Sequence, residues 1–289
     1  LASDAVTTAK ITDDNVTYAS AVALTGPVAV NTGVGAGTIT FSSTVDGAQD
    51  LTLTAGTGNV TFAGVVGATR LEDVTIVSAA DVTATTLSAA TLTQSAGTGT
   101  TTFNGAVNTN AAGGISLTGN VQTVNAGITT TTGGPVTFTN AGLLTLNANI
   151  TSDGAVTQNG AGAVTITGSR TVSTTSDAVD FLRAVTLNGA GSLVAINTTA
   201  AGTGGAITFQ STLDATTAGA TAEDLTLTAG TAGSITFTGA VGTTRLGDVI
   251  IASANNVTET AGLSAATLTQ SAGTGTTTFN GAVNTNAAG

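Results

Sequence analysis

The sequence predicts an all-β chain folded as a parallel β-helix (β-solenoid) of about 13 coils, each about 22 residues long. Three observations carry the prediction. LSAATLTQSAGTGTTTFNGAVNTNAAG runs from Leu87 to Gly113 and again, letter for letter, from Leu263 to Gly289. One short strand form, an apolar pair around a Thr or Ser, recurs along the chain. Its spacing falls within the roughly 20 to 50 residues typical of solenoids and arrays.

The exact duplication is the best-preserved part of a longer match. DLTLTAG at Asp50–Gly56 returns at Asp224–Gly230, and GVVGATRLEDV ending at Val74 returns as GAVGTTRLGDV ending at Val249. ITFSST from Ile39 returns as ITFQST from Ile207, VAVNT at Val28–Thr32 as VAINT at Val194–Thr198, and SDAV at Ser3–Val6 as SDAV at Ser176–Val179. Block order holds while the offsets drift, so small insertions have accumulated. The chain reads as a long repeat of about 170–176 residues (1–175) and a truncated copy (176–289), expected to form one continuous rod. Leu1 opens mid-pattern without an initiator Met, and the copy stops where the first repeat continues into GISLTGN. A window onto something longer is expected.

Each strand is justified by the same alternation. Leu51–Leu53, Val60–Phe62, Val74–Ile76, Ile115–Leu117, Val136–Phe138, Val164–Ile166, Val185–Leu187 and Ile207–Phe209 all place a polar residue between two apolar ones. That is the period of a half-buried strand, and β-branched side chains suit its pleated surface. Glycine-rich AGTG, NGAG and TTGG punctuate the strands as turns. Leading strands near Leu51, Val74, Leu92, Ile115, Val136, Val156, Val185, Ile207, Leu225, Val249 and Leu268 mark successive coils. No 3.6-residue apolar period appears. A narrow interior is expected, filled by Val, Ile, Leu, Ala and a ladder of Phe41, Phe62, Phe103, Phe138, Phe209, Phe237 and Phe279. A β-sandwich would accommodate short strands, but explains neither the long exact repeat nor the scarcity of large aromatics.

Composition narrows the class. Charged residues are 7% and aromatics 3%, against about a quarter charged in an ordinary soluble domain. Mean hydropathy is positive, +0.38, yet Thr, Gly, Asn or Ser interrupts every apolar run before the ~18 residues of a membrane helix. Membrane insertion is therefore not expected. The net charge of −11 and pI of about 4.1 argue against nucleic-acid partners, which call for basic patches. They suit a secreted polymer that must stay dispersed.

The stretch DLTLTAGTGNVTFAGVVGATRLEDVTIVSAADVT resembles the β-strand repeats of giant bacterial surface and secreted proteins, of the filamentous-haemagglutinin and autotransporter-associated kind. The resemblance covers nearly the whole chain and is one of composition and period. It implies export, a right-handed β-helical shaft, and a role in adhesion or in extracellular fibres. The family's N-terminal secretion domain, a membrane barrel and a signal peptide are not visible in this sequence.

The search for chemistry favours structural readings, and no catalytic, cofactor-binding or metal-binding residues are expected. With no His and no Cys, imidazole acid–base chemistry, thiol nucleophiles and Cys/His zinc sites are excluded. Asp13–Asp14, with Asp4 nearby, reads as a solvated turn, and GVGAG at Gly33–Gly37 lacks the Lys and helix of a phosphate loop. Asn15, Asn59, Asn149, Asn197 and Asn256 begin Asn-x-Thr triplets that a Thr-rich chain produces by accident. Arg70 with Asp73, recurring as Arg245 with Asp248, reads as a surface pair. Outward threonines are expected to shift from coil to coil, which disfavours an ice-binding array. Loosely bound calcium is the one cofactor considered. The expected function is a non-enzymatic, extracellular structural or adhesive fibre whose partner is itself, end to end. Surface glycans or other cells are the further partners considered; a glycan-binding or glycan-processing β-helix is the alternative, and an ice-binding solenoid a more remote one.

Overall fold

The computed structural model describes residues 6–7 and 13–286. Among these there is no helix, and hence none long and apolar enough to cross a membrane. The chain is a parallel β-solenoid of about 12 turns at a spacing of about 22 residues, one fewer than the sequence spacing suggested. It divides into two compact units, Leu1–Gly142 and Leu143–Gly289.

In the first unit each turn contributes one strand to each of three parallel sheets. Sheet a stacks Val28–Asn31, Leu51–Thr54, the second half of Val66–Ser78, the second half of Leu87–Gln94, Ile115–Gly119 and Val136–Asn140. Sheet b stacks Val16–Tyr18, Ile39–Phe41, Val60–Phe62, Val82–Ala84, Thr100–Phe103 and Val121–Val124. Sheet c stacks Val22–Ala23, Val45–Asp46, the first halves of the two long strands, Val107–Thr109 and Ile128–Thr130. Like residues stack on like: Val28, Leu51, Val74, Leu92, Ile115 and Val136 follow one another in register. All six are buried. The expected leading strands of this unit therefore share one sheet.

The second unit repeats the plan with sheets d, e and f. Sheet d holds Leu144–Leu146, Val164–Thr167, Val185–Asn188 and Leu213–Ala215, the starts of Val241–Ser253 and Leu263–Gln270, and Val283–Thr285. Sheet e holds Ile150–Ser152, Arg170–Thr174, Leu193–Asn197, Asp224–Thr228 and the ends of the same two long strands. Sheet f holds Val156–Gln158, Val179–Phe181, Ile207–Phe209, Ile235–Phe237, Val257–Glu259 and Thr277–Phe279. Here the expected leading strands scatter: Val185 lies in d, Ile207 in f and Leu225 in e. All three strands of a turn have the same short in–out–in form, so periodicity alone cannot say which sheet a strand joins. The boundary proposed from the repeat, 175/176, falls within this unit between Arg170–Thr174 and Val179–Phe181.

The phenylalanines form separate stacks rather than one ladder. In sheet b Tyr18, Phe41 and Phe62 lie face to face with centroids 4.8 and 5.3 Å apart, and register then continues through Ala84 to Phe103. Phe138 belongs to sheet a, over Leu117. In sheet f Phe181, Phe209 and Phe237 stack at 5.6 Å, and Phe181 completes a series that the sequence pattern had left short.

Candidate functional site

The turns meet at corners where the sheet ladder lapses and side chains take over its hydrogen bonds. The carboxamide oxygen of Asn15 accepts the Thr38 N–H (2.8 Å), Asn59 accepts that of Asp81 (3.0 Å), and Asp81 accepts that of Thr100 (2.7 Å). Asn149 and Asn256 do the same for Thr171 and Thr276, while Asn197 caps Thr199 two residues on. Four of the five Asn-x-Thr asparagines thus tie one turn to the next, and Asn197 braces its own loop; each supplies an acceptor for a backbone N–H. Asp13 accepts the Ala36 N–H, so this half of the Asp13–Asp14 pair ties two turns together; Asp4 lies outside the described residues. GVGAG forms a tight loop in which Asn31 Oδ1 accepts the Gly33 N–H and the Thr32 hydroxyl donates to the Gly37 carbonyl.

Arg70 departs from its expected pairing. Val66 pairs with Leu87 and Leu71 with Ala89, so the chain between bulges outward at Gly67–Arg70. Gly67 has φ +76°, and a Cβ there would meet the Ser88 carbonyl at 2.0 Å, so glycine is required. From the bulge Arg70 Nη1 donates to the carbonyls of Ala89 (2.8 Å) and Asn108 (2.9 Å), stapling two successive turns. Asp73 instead accepts the Thr91 hydroxyl. The second copy reproduces the device: Arg245 Nη1 bonds Ala265 and Asn284, and Asp248 accepts Thr267. A guanidinium presents several donors in a fixed fork, which suits it to bridging carbonyls on neighbouring layers.

Two buried acids are not evident from the sequence pattern. Glu223, fully covered, lies in a loop six residues longer than its counterpart after Asp46. It accepts the Gly189 N–H (2.9 Å), the Thr216 hydroxyl (2.7 Å), and both the N–H and the hydroxyl of Thr217. Burial pushes its pKa upward, but the hydrogen bonds from Thr216, Thr217 and Gly189 outweigh that and hold it below the usual carboxylate range. Glu259 is also fully covered and stands in register between Phe237 and Phe279, where the first copy has Ala84. Its oxygens accept the N–H groups of Gly262 and Gly281. The signal lay in comparing VTA at Val82–Ala84 with VTE at Val257–Glu259.

The outer faces correct another expectation. Thr17, Thr40, Thr61, Thr83, Thr102 and Thr123 fall in one unbroken file on sheet b. On sheet a Thr52, Thr75, Thr93, Ser116 and Thr137 form a second file. On these two sheets of the first unit the threonines do not shift from turn to turn, because loops of unequal length absorb the variable spacing and leave the strands in register. On sheet e of the second unit the outward residue does change, from Thr171 to Ala195 and from Thr226 to Ile250. Among the described residues no group of three or more acids is placed to hold a metal ion. A groove of about 250 Å³ lies beside the second bulge, lined by Gly242, Gly262, Ser264 and Asn284 among others.

Comparison with protein-family models, with curated proteins and with solved structures found no match. Fold and surface define the class of this chain, a β-solenoid repeat protein. The resemblance to haemagglutinin-type repeats rests on sequence pattern, and the parallel β-solenoid is consistent with a β-helical repeat protein.

Proposed function

We propose that the chain is a length of extracellular fibre shaft, structural or adhesive, that extends by stacking turn on turn and carries out no catalytic step. One observation supports this reading above others. Successive turns stack in parallel register with like on like, as Val28, Leu51, Val74, Leu92, Ile115 and Val136 do, so each turn offers the next the same kind of edge that it covers. Such an edge is a template for more β-structure, whether further repeat of the same polypeptide or another copy. Export and a cell-surface location are what the resemblance implies, and the acidic composition suits a secreted polymer that must stay dispersed. Electron microscopy of native material tests the reading: continuous thin filaments support it, and discrete globular particles sink it.

A second reading, glycan binding, draws on the groove beside Gly242 and Gly262, into which Thr243, Ser264 and Asn284 bring polar groups. A glycan array separates the two, since a purely structural shaft binds no sugar selectively.

A further inference from the structure

The outer face of sheet a is a two-dimensional array rather than a single file. Beside Thr52, Thr75, Thr93, Ser116 and Thr137 runs a parallel row two residues on. Asn31, Thr54 and Ser78 are in register there, as are Thr118 and Thr139. Ser95 occupies the intervening turn, two residues beyond Thr93. Rows repeat along the stacking direction at ~4.8 Å, and the two files stand two strand residues apart, ~6.6 Å. Every one of these Thr and Ser side chains on the strands is partly open to solvent. The files contain no charged side chain; their irregularities are Ala29, which stands in register ahead of Thr52, and the bulged Val77 between Thr75 and Ser78.

Such a surface has an unusual chemistry. Each threonine offers a hydroxyl that can both donate and accept, next to a methyl group that water can only surround. β-Branched Thr is also stiff at χ1, and stacking against its cross-strand neighbours fixes it further. Side-chain ladders of this kind hold a sheet flatter than the usual twist. Hydroxyls on a rigid grid hold a water layer in fixed positions, and the ~4.8 Å repeat lies close to that of water oxygens in hexagonal ice. A soluble ligand of irregular shape would gain little from such a grid; a crystalline lattice would gain at every row.

We infer that sheet a of the first unit is an ice-binding face, a function separate from that of the fibre shaft. The chain supplies its own contrast. The corresponding file on sheet e of the second unit reads Thr171, Ala195, Thr226, Ile250 and Thr269, interrupted by two apolar residues. Sheet b has only one continuous Thr file, because its second row is broken by Asn15, Asn59 and the charged Asp81.

The experiment is partition of the whole purified chain into slowly growing ice, together with ice-recrystallisation inhibition. Thr75→Lys/Thr93→Lys places two ammonium groups in the middle of the array, and Thr61→Lys places one on sheet b. The wild type and Thr61→Lys should enter the ice and suppress recrystallisation, and the double variant should lose both properties with its β-sheet circular dichroism unchanged. If the double variant unfolds, Thr75→Ile, which copies Ile250, takes its place and should weaken both readouts. Exclusion of the wild type from ice, or full retention by a folded double variant, overturns the inference.

Discussion

Phe41 is the most demanding test of the interior. Its ring lies between Tyr18 and Phe62, at centroid distances of 4.8 and 5.3 Å with interplanar angles of 9°, and it is 1% exposed. Phe41→Ala removes a buried aromatic, which costs about 3–5 kcal/mol in a close-packed core. Two stacked pairs are lost at once, each worth up to ~1.5 kcal/mol beyond its area, so the upper end of that range is expected. Thr40, one residue earlier in the same strand, faces outward in the file between Thr17 and Thr61. Thr40→Ala removes only cross-strand contacts worth about 0.2–1 kcal/mol each. Solenoids need not unfold as one cooperative unit, so urea melts by circular dichroism should be paired with hydrogen exchange. Exchange at the Ile39 and Val60 amides, whose protons go to Asn59 and Asp81, should rise steeply for Phe41→Ala and little for Thr40→Ala. Equal losses for the two variants would show that the inward and outward faces are misassigned.

Three further outcomes follow from the corners and loops. Arg70→Ala should lower stability by roughly 1–3 kcal/mol, the range for hydrogen bonds from a charged donor, and speed exchange near Ser88; no change in a urea melt would leave the staple without weight. Glu223→Gln should loosen the loop around Thr216 and Thr217 at neutral pH, as read by limited proteolysis. Because the folded pKa of Glu223 is lowered, its contribution is complete above the ordinary carboxylate value and fades as pH falls through the folded one. Wild type and variant should therefore converge as pH falls below the ordinary carboxylate value and through the lowered folded one, and a difference that grows toward low pH would refute the assignment. Millimolar calcium should shift the melting temperature by nothing measurable, since no three acids converge among the described residues; a clear stabilisation in calorimetry would reveal a site.

Much of the fold was legible in the sequence because its local rules agree with one another. Val60–Phe62 and Ile207–Phe209 read as strands from alternation alone, and the exact repeat favoured a solenoid over a sandwich. What could not be read was lateral identity. Val185 and Ile207 look alike in sequence yet join different sheets, because each of the three strands in a turn needs the same apolar pair. The Thr files were hidden for the same reason: distances such as the 19 residues from Thr83 to Thr102 and the 23 from Thr17 to Thr40 look irregular until loops absorb the difference. The Arg70–Asp73 pairing failed because nearness in sequence does not reveal a bulge that turns the guanidinium toward carbonyls one and two layers away. Glu259 was missed because a strand form that tolerates Phe, Ala or Glu at its last position does not announce a buried carboxylate.

Sedimentation velocity of the purified chain tests the central claim most directly. Layers that stack through backbone hydrogen bonds and apolar side chains should yield assemblies far heavier than 27.4 kDa, and added salt, which screens exposed charges, should not dissolve them. A single species of 27.4 kDa, unchanged on raising the concentration, would contradict it.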